Sequence, residues 1–184
     1  QRTRAEGMGE WRAITEIDTR FRQPGTCVVG YNNLRFDDEF IRYTLYRNLL
    51  DPYAREWRDG NSRWDLLDLV RATGALRPDG ISWPRDDDDR PSFRLQAMTG
   101  ANGVAHEAAH DAVSDVRATV QIGQLLRRAQ PKLYDYYLDH SDKAHLRRQL
   151  LPLGQNLLVH VSGMISNERY CTAPVMSVAE HPRN

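Results

Sequence analysis

Apolar residues recur at spacings of three and four along much of the chain, which is the period of a helix with one buried face. Proline or glycine ends several of these stretches. The pattern predicts helices over residues 10–21, 37–49, 65–73, 92 to 100 or 103, 111–129, 131–139 and 142–150. In the longest of them, the face predicted to point inward carries Val113, Val116, Val120 and Leu126.

Two apolar runs lack the helical period and predict β-strands. The first covers residues 26–30, and we expect it to be buried, with Cys27 as a core thiol and not half of a disulfide. The second covers residues 157–161 and follows a change of composition near residues 152–156. We therefore predict a domain boundary there, with one domain over 1–155 and the start of another over 156–184.

The segment 77–91 predicts a loop, because prolines and a glycine interrupt it repeatedly. Four consecutive aspartates, Asp86 to Asp89, suggest a cation site. Like charges without intervening donors repel one another, however, so we interpret this segment as a solvated charged turn.

Net charge and composition limit the kinds of partner that this chain can bind. The chain has 184 residues, 40% of them hydrophobic, with 25 basic and 25 acidic side chains, so its net charge is zero. Binding to a polyanion must therefore come from local patches. No signal peptide is visible, and no apolar run approaches the roughly 20 residues that span a bilayer. We expect a cytoplasmic monomer that makes no membrane contact.

Three residues form a candidate hydrolytic site. Asp37 begins a predicted helix after a strand and a turn, Asp115 lies in the first turn of another helix, and His110 lies just before that helix. Hydrolysis of a phosphodiester by two metal ions needs converging carboxylates and a base for the attacking water. Taken singly, an aspartate at a helix start is usually a cap and a lone histidine is usually structural.

The sequence around these residues resembles a known family. Residues 30–39, Gly-Tyr-Asn-Asn-Leu-Arg-Phe-Asp-Asp-Glu, resemble the second motif of the DEDD exonucleases, and His110-x4-Asp115 resembles the third motif of the branch with a catalytic histidine. Further stretches narrow the resemblance to the bacterial exodeoxyribonuclease I family, and these are residues 46–48, 51–53, 61–68, 91–95, 101–103 and 159–164.

The resemblance implies an α/β fold, with a ribonuclease H-like exonuclease domain followed by the start of an SH3-like domain. It implies 3′→5′ degradation of single-stranded DNA to 5′-mononucleotides, in DNA repair and recombination. Asp37 and Asp115 would ligate Mg²⁺, with Mn²⁺ as a substitute, and His110 would act as the base. Single-strand-binding protein is the partner expected of the family.

One family feature is missing from the sequence. The first motif is Asp-x-Glu at the end of an early apolar strand, and no such motif precedes Asp37. Glu16-Ile17-Asp18 has the reversed order and falls in a predicted helix. We therefore expect a fragment whose 184 residues are inactive alone, while the longer parent is active. The alternative is a catalytically silent relative that binds single-stranded nucleic acid.

A channel for single strands needs aromatic faces for the bases and cations for the phosphates. Arg94 lies where the family has a substrate contact. The other candidates are Tyr53 and Trp57 for stacking, and Arg42 and Arg71 for phosphates. The opposing interpretation makes about half of these arginines partners in surface ion pairs. We expect Trp64 to be a core residue.

His106-Glu107-x-x-His110 also matches the zinc metalloprotease pattern. Zinc needs a third ligand, and no glutamate occurs between Glu107 and Glu168. The extended form of the pattern needs glycine and histidine where Val113 and Val116 stand. This protease interpretation is therefore only a remote alternative.

Overall fold

The computed structural model describes residues 7–105, 111–141 and 143–180, and the chain divides into two compact units, residues 1–64 and 65–184. The helices in the described ranges are α1 (Glu10–Phe21), α2 (Asp37–Arg47), α3 (Leu66–Leu76), α4 (Leu95–Ala101), α5 (Ala112–Ala129), α6 (Pro131–Asp139) and α7 (Lys143–Leu150). The strands are β1 (Cys27–Gly30), β2 (Ser62–Asp65), β3 (Leu157–Val161) and β4 (Thr172–Met176). The predicted helices and strands are confirmed, with shifts of a few residues at their ends.

The first unit pairs β1 with β2 and packs α1 against α2. Its buried apolar side chains are Ile14, Leu45, Ala54 and Trp64. The prediction that Trp64 belongs to the core is confirmed. Helix α2 ends at Arg47, and Leu49 beyond it adopts a positive φ of 58° with 94% of its surface exposed. Leu49 therefore does not extend the buried face of this helix.

The prediction of a buried Cys27 is wrong, because this side chain is exposed. Exposed and half-buried residues alternate along β1, as expected for a strand with one covered face. An apolar run of four residues does not show whether both faces of its strand are covered. Cys27 and Cys171 are both free thiols.

The second unit is built around α3, which packs against α5, α6 and the β3–β4 hairpin. Asp65 caps α3 by accepting a hydrogen bond from the Leu67 N–H at 3.0 Å. The helix continues through Gly74, where a Cβ atom would lie 2.6 Å from the Tyr170 ring. The helix therefore runs past residue 73, where it was predicted to end, and Gly74 makes room for an aromatic side chain.

The prediction that Leu126 of α5 is buried is confirmed, but the prediction for the three valines is wrong. Val113, Val116 and Val120 are 57%, 62% and 52% exposed. The buried positions are Ala118, Ile122, Gly123 and Leu126. A Cβ atom at Gly123 would approach Leu66 of α3 to 3.2 Å, so close packing on α3 selects this face.

The segment 77–91 contains no helix and only one isolated bridge, between Arg85 and Pro91. The Asp86 carboxylate accepts backbone hydrogen bonds from Arg90 at 2.9 Å and from Asp88 at 3.1 Å, which lowers its pKa. Arg90 also pairs with Asp86 and Asp88. These contacts confirm the interpretation of the segment with Asp86 to Asp89 as a charged turn.

Strands β3 and β4 form an antiparallel hairpin, with register from Leu157 opposite Met176 to Val161 opposite Thr172. Tyr170, in the connection between them, packs against Phe93 with ring centroids 5.8 Å apart.

Among the helices of the described ranges, none combines the length and the apolar composition that a membrane span requires.

The Asp51 carboxylate holds the turn that follows it, and its contribution to stability is expected to depend on pH. Its carboxylate accepts the Tyr53 and Ala54 N–H groups at 2.9 and 3.1 Å, and these bonds lower its pKa. A carboxyl group whose pKa is lowered by folding stabilises above its unfolded pKa of about 3.9, and the contribution disappears as pH falls through the folded pKa. We expect Asp51→Ala to lower the free energy of unfolding by about 1 kcal/mol at pH 7.

The measurement is urea unfolding of the variant and its parent between pH 7 and pH 3. The difference between them should shrink as the pH falls. Asp79→Ala is the control, because the side chain of this exposed loop aspartate makes no hydrogen bond within the described ranges. A difference for Asp51→Ala that does not change with pH would contradict the assignment.

Candidate active site

The turn before Asp37 is compact for a steric reason. Strand β1 ends at Gly30, where a Cβ atom would lie 2.6 Å from the Asn33 Cβ atom. Asn32 adopts the left-handed conformation, with φ of 64°, and residues 33–35 form a 3₁₀ turn. Glycine at position 30 therefore allows the chain to pass from the strand to the first residue of α2 within six residues.

The three acidic residues that begin α2 differ in their surroundings. Asp38 is 1% exposed and accepts hydrogen bonds from two arginines. Glu39 pairs with Arg42. Asp37 is exposed, and its carboxylate makes no ion pair within the described ranges. Only Asp37 therefore keeps a carboxylate whose charge no described arginine neutralises.

A cluster of ion pairs includes Asp38, the residue after Asp37, and we call it the arginine–carboxylate cluster. Its members are Asp38, Glu39, Arg42, Arg55, Glu56 and Arg63. Asp38 Oδ1 accepts from Arg55 Nη2 at 3.0 Å, and Oδ2 accepts from Arg63 Nη1 at 2.8 Å. Arg63 Nη2 also lies 3.1 Å from Glu56 Oε2. Three guanidinium groups thus balance three carboxylates.

Arg42, predicted to contact phosphate, belongs to this cluster. Its Nε and Nη2 atoms donate to the two Glu56 carboxylate oxygens at 2.7 and 2.9 Å, which raises its pKa. Its guanidinium group also lies over the Tyr53 ring, 5.4 Å from the centroid. The charge of Arg42 is compensated, which weighs against the predicted phosphate contact and favours an ion-pair role.

The two predicted stacking residues lie on the surface of the first unit. Tyr53 is 56% exposed and Trp57 is 64% exposed. The guanidinium group of Arg58 lies over the Trp57 ring, 5.6 Å from its centroid. Exposed aromatic rings next to cations match what a single-strand channel needs, and the stacking role of both residues stays a prediction.

Asp115 lies in the first turn of α5, but it is not the cap of that helix. The cap is Asp111, whose carboxylate accepts the Ser114 N–H at 3.1 Å. Asp115 is half-buried and lies on the same face as Ala118 and Ile122, at spacings of three and seven. An aspartate at the start of a helix is usually a cap, and in α5 this cap is Asp111 and not Asp115.

The two remaining predicted arginines belong to the second unit. Arg94 is exposed at the position before α4, and its side chain has no ion pair among the described residues. Arg71 is mostly buried and donates to Asp68 at 3.0 Å. A Cβ atom at Gly163 would lie 3.6 Å from Arg71 Nη2, so Arg71 also borders the turn after β3. His110 lies outside the described residues, as do His106 and Glu107.

A carboxylate oxygen is the ligand that Mg²⁺ prefers, and the exposed, uncompensated carboxylate of Asp37 fits that requirement. Within the described ranges, no group of three or more histidine, cysteine, aspartate or glutamate side chains is close enough to hold a metal ion.

Sequence reasoning missed the cluster residues Asp38, Arg55, Glu56 and Arg63. The spacing of Glu39 and Arg42, three residues apart at the start of a helix, was a usable signal for one ion pair. The contacts of Arg55 and Arg63 with Asp38 span 17 and 25 residues, and no local spacing indicates them.

Comparisons with known proteins agree with the resemblance. The family model described as Exonuclease matches residues 11–122, and the model of the Exonuclease I SH3-like domain matches residues 141–184. The exodeoxyribonucleases I of Haemophilus influenzae and Escherichia coli are each 48% identical over 184 residues, which is 100% of this chain and 39% of theirs. The chain thus spans about two fifths of the length of these relatives.

Solved structures give the same result. The crystal structure of E. coli exonuclease I in complex with a dA16 oligonucleotide matches with a TM-score of 0.93 and 49% identity, over 98% of this chain and 39% of that one. Exonuclease I from Methylocaldum szegediense matches with a TM-score of 0.91 and 51% identity, over 97% and 38%. The predicted order of an exonuclease domain and an SH3-like domain is confirmed, and none of the matches supports a metalloprotease. The chain belongs to the exonuclease family, and within that family it is similar to the exodeoxyribonucleases I.

Proposed function

We propose that the full-length protein encoded by this gene is a metal-dependent 3′→5′ exodeoxyribonuclease that degrades single-stranded DNA to 5′-mononucleotides. The observation that carries the proposal is Asp37, whose uncompensated carboxylate begins α2 in a chain 48% identical to exodeoxyribonuclease I. The relatives solved with dA16 and dT13 oligonucleotides support single-stranded DNA as the substrate.

The predicted residues have distinct roles in this proposal. Asp37 and Asp115 hold divalent metal ions, directly or through water, and His110 accepts the proton of the attacking water. The bound ions supply Lewis-acid stabilisation of the charge that develops on the phosphate. We propose Mg²⁺ as the native ion and Mn²⁺ as a substitute, because both are bound by carboxylate oxygen.

Charge supports this division of roles. The arginine–carboxylate cluster is neutral, so it neither attracts the metal ions nor repels the phosphate of the substrate. The negative charge of Asp37 is therefore the local charge that a cation meets at the start of α2. Arg94, which has no described acidic partner, is the arginine best suited to contact the strand.

Stacking on Trp57 gives a measurable prediction. We expect Trp57→Ala in the full-length protein to weaken binding of a fluorescent oligo-dT strand by about 5- to 150-fold, because base–aromatic stacking contributes about 1–3 kcal/mol per base. The binding is measured by fluorescence anisotropy in EDTA, which prevents cleavage. Trp11→Ala is the matched control, since Trp11 is 56% exposed on α1 and has no proposed role. Equal effects of the two substitutions would refute stacking on Trp57.

Three further properties are part of the proposal. The matched chain in a crystal structure of SSB/exonuclease I in complex with the inhibitor CFAM has 48% sequence identity to this chain. This match supports single-strand-binding protein as a partner. We place the activity in the cytoplasm, where bacterial DNA lies, and we expect a monomer. We also place the boundary between the exonuclease and SH3-like domains near residue 155.

The experiment that tests the proposal compares substrates. The full-length protein is incubated with single-stranded DNA, duplex DNA and RNA of one sequence, each with Mg²⁺ or EDTA. The proposal requires mononucleotides from single-stranded DNA with Mg²⁺ and none with EDTA. Binding of single-stranded DNA without cleavage in Mg²⁺ would instead indicate a catalytically silent relative.

A further inference from the structure

The first turn of α2 lacks the feature that usually holds the start of a helix. Asp65 and Asp111 cap α3 and α5 with side-chain hydrogen bonds, whereas the residue before α2, Phe36, provides none. The first backbone hydrogen bond of α2, from the Phe40 N–H to the Phe36 carbonyl, is long at 3.3 Å. The backbone alone therefore restrains the residue that follows Phe36, which is Asp37, only weakly.

The side chain next to Asp37 is held firmly instead. Both oxygens of Asp38 are used, one by Arg55 from a 3₁₀ turn and the other by Arg63 from β2. Arg63 also contacts Glu56, and Glu56 binds Arg42 on the next turn of α2. The cluster therefore joins α2 to two other segments, the 3₁₀ turn that carries Arg55 and Glu56 and the strand β2 that carries Arg63.

Stability alone does not account for this cluster. Arg55 is fully buried, yet its Nε and Nη1 atoms have no hydrogen-bond partner within the described ranges. Burying a guanidinium group with unsatisfied donors is costly, and apolar side chains of similar volume often stabilise a core at least as well. A buried ionic group retained at this cost suggests a requirement for defined geometry.

We propose that Asp38, Arg55 and Arg63 are positioning residues for Asp37. By fixing the Asp38 side chain from two directions, Arg55 and Arg63 fix the backbone of the adjacent residue and so the direction of the Asp37 carboxylate. Both Arg55 and Arg63 bridge Asp38 and Glu56, and Arg63 makes the shorter contact with Glu56, at 3.1 Å against 3.4 Å. This inference rests on the proposed metal-dependent function, because it gives the reason why Asp37 needs a fixed direction.

Arg63→Met in the full-length protein tests the inference. Methionine keeps an unbranched side chain but removes both ion pairs. We expect the Kd for Mn²⁺, measured by electron paramagnetic resonance without DNA, to rise about 10-fold, the usual effect of losing a group that orients a metal ligand. Hydrogen exchange of a peptide covering Phe36 to Arg42, measured by mass spectrometry without metal, should become faster.

Arg47→Met is the matched control. Arg47 lies at the other end of the same helix and loses one ion pair with Glu10, in which the two side chains are 59% and 50% exposed. It should leave Mn²⁺ binding and exchange of the peptide unchanged. If Arg63→Met does not fold, Arg63→Lys replaces it, because lysine keeps the charge but lacks the planar fork with which the guanidinium group holds both carboxylates.

The outcomes separate the inference from the proposed function. A folded Arg63 variant whose Mn²⁺ Kd stays within about twofold of the parent overturns the positioning role, even if the peptide exchanges faster. A parent that binds Mn²⁺ but releases no nucleotides overturns the proposed function, while the Arg63 comparison still tests the positioning role. The inference is supported if Arg63→Met raises the Mn²⁺ Kd and speeds exchange of the peptide while Arg47→Met changes neither.

Discussion

Asp37→Asn in the full-length protein is expected to lower nucleotide release from single-stranded DNA by about 1000-fold in saturating Mg²⁺. The substitution keeps the size of the side chain and removes the negative charge that would bind the cation. Metal ions supply several kcal/mol of transition-state stabilisation in such hydrolyses, and a 1000-fold loss corresponds to about 4 kcal/mol. The measurement is the initial rate on a 3′-labelled strand.

Asp59→Asn is the control for this prediction. Asp59 is exposed in the same unit, and asparagine tolerates its positive φ of 56°. We expect its rate to stay within about twofold of the parent. If the rate of Asp37→Asn also stays within about twofold of the parent, Asp37 is not a catalytic residue. The resemblance of its motif would then not reflect a catalytic role.

Arg55→Met is expected to have the largest effect on stability. Arg55 is fully buried, with its guanidinium group 3.0 Å from the Asp38 carboxylate and over the Phe21 ring at 5.7 Å from the centroid. Its loss leaves a buried carboxylate with one arginine in place of two. Breaking a buried ion pair by removing one partner costs about 3–5 kcal/mol, and we expect the lower value because Asp38 keeps Arg63.

Urea unfolding of the full-length protein, with a transition assigned to the exonuclease domain, gives the change in free energy. Arg58→Met is the matched control, because Arg58 is exposed and its closest carboxylate contact, with Asp51, is 3.9 Å long. This control should change stability by no more than about 0.5 kcal/mol. Equal effects of the two substitutions would mean that the cluster does not stabilise the fold.

Local patterns predicted the seven helices and the strands β1 and β3, because each of these elements has its own period and its own end signals. Strands β2 and β4 were not predicted. They did not predict which face of α5 is buried. That helix has two apolar stripes, one with Val113, Val116 and Val120 and one with Ala118, Ile122 and Leu126. The close approach of Gly123 to α3 decides between them, and this contact is not visible in the helix itself.

Motif resemblance identified Asp37 and Asp115 without any knowledge of their surroundings. The need for cations in a single-strand channel suggested Arg42 as a phosphate contact, with an ion-pair role as the alternative, and the structure pairs Arg42 with Glu56, fourteen residues along the chain. The arginine–carboxylate cluster depends on contacts between separate segments, and the spacing of Glu39 and Arg42 was a usable signal for only one of its ion pairs. The sequence therefore indicated the candidate ligand, and the structure showed what surrounds and holds it.

The most direct test of the central claim follows the release of nucleotides from single strands that carry a label at the 3′ end or at the 5′ end. The full-length protein is assayed with Mg²⁺ and with EDTA. A 3′→5′ exonuclease releases the 3′ label as a mononucleotide from the earliest time points, and the 5′ label only after the strand has been shortened. Release of neither label in Mg²⁺, or early release of the 5′ label alone, would contradict the account.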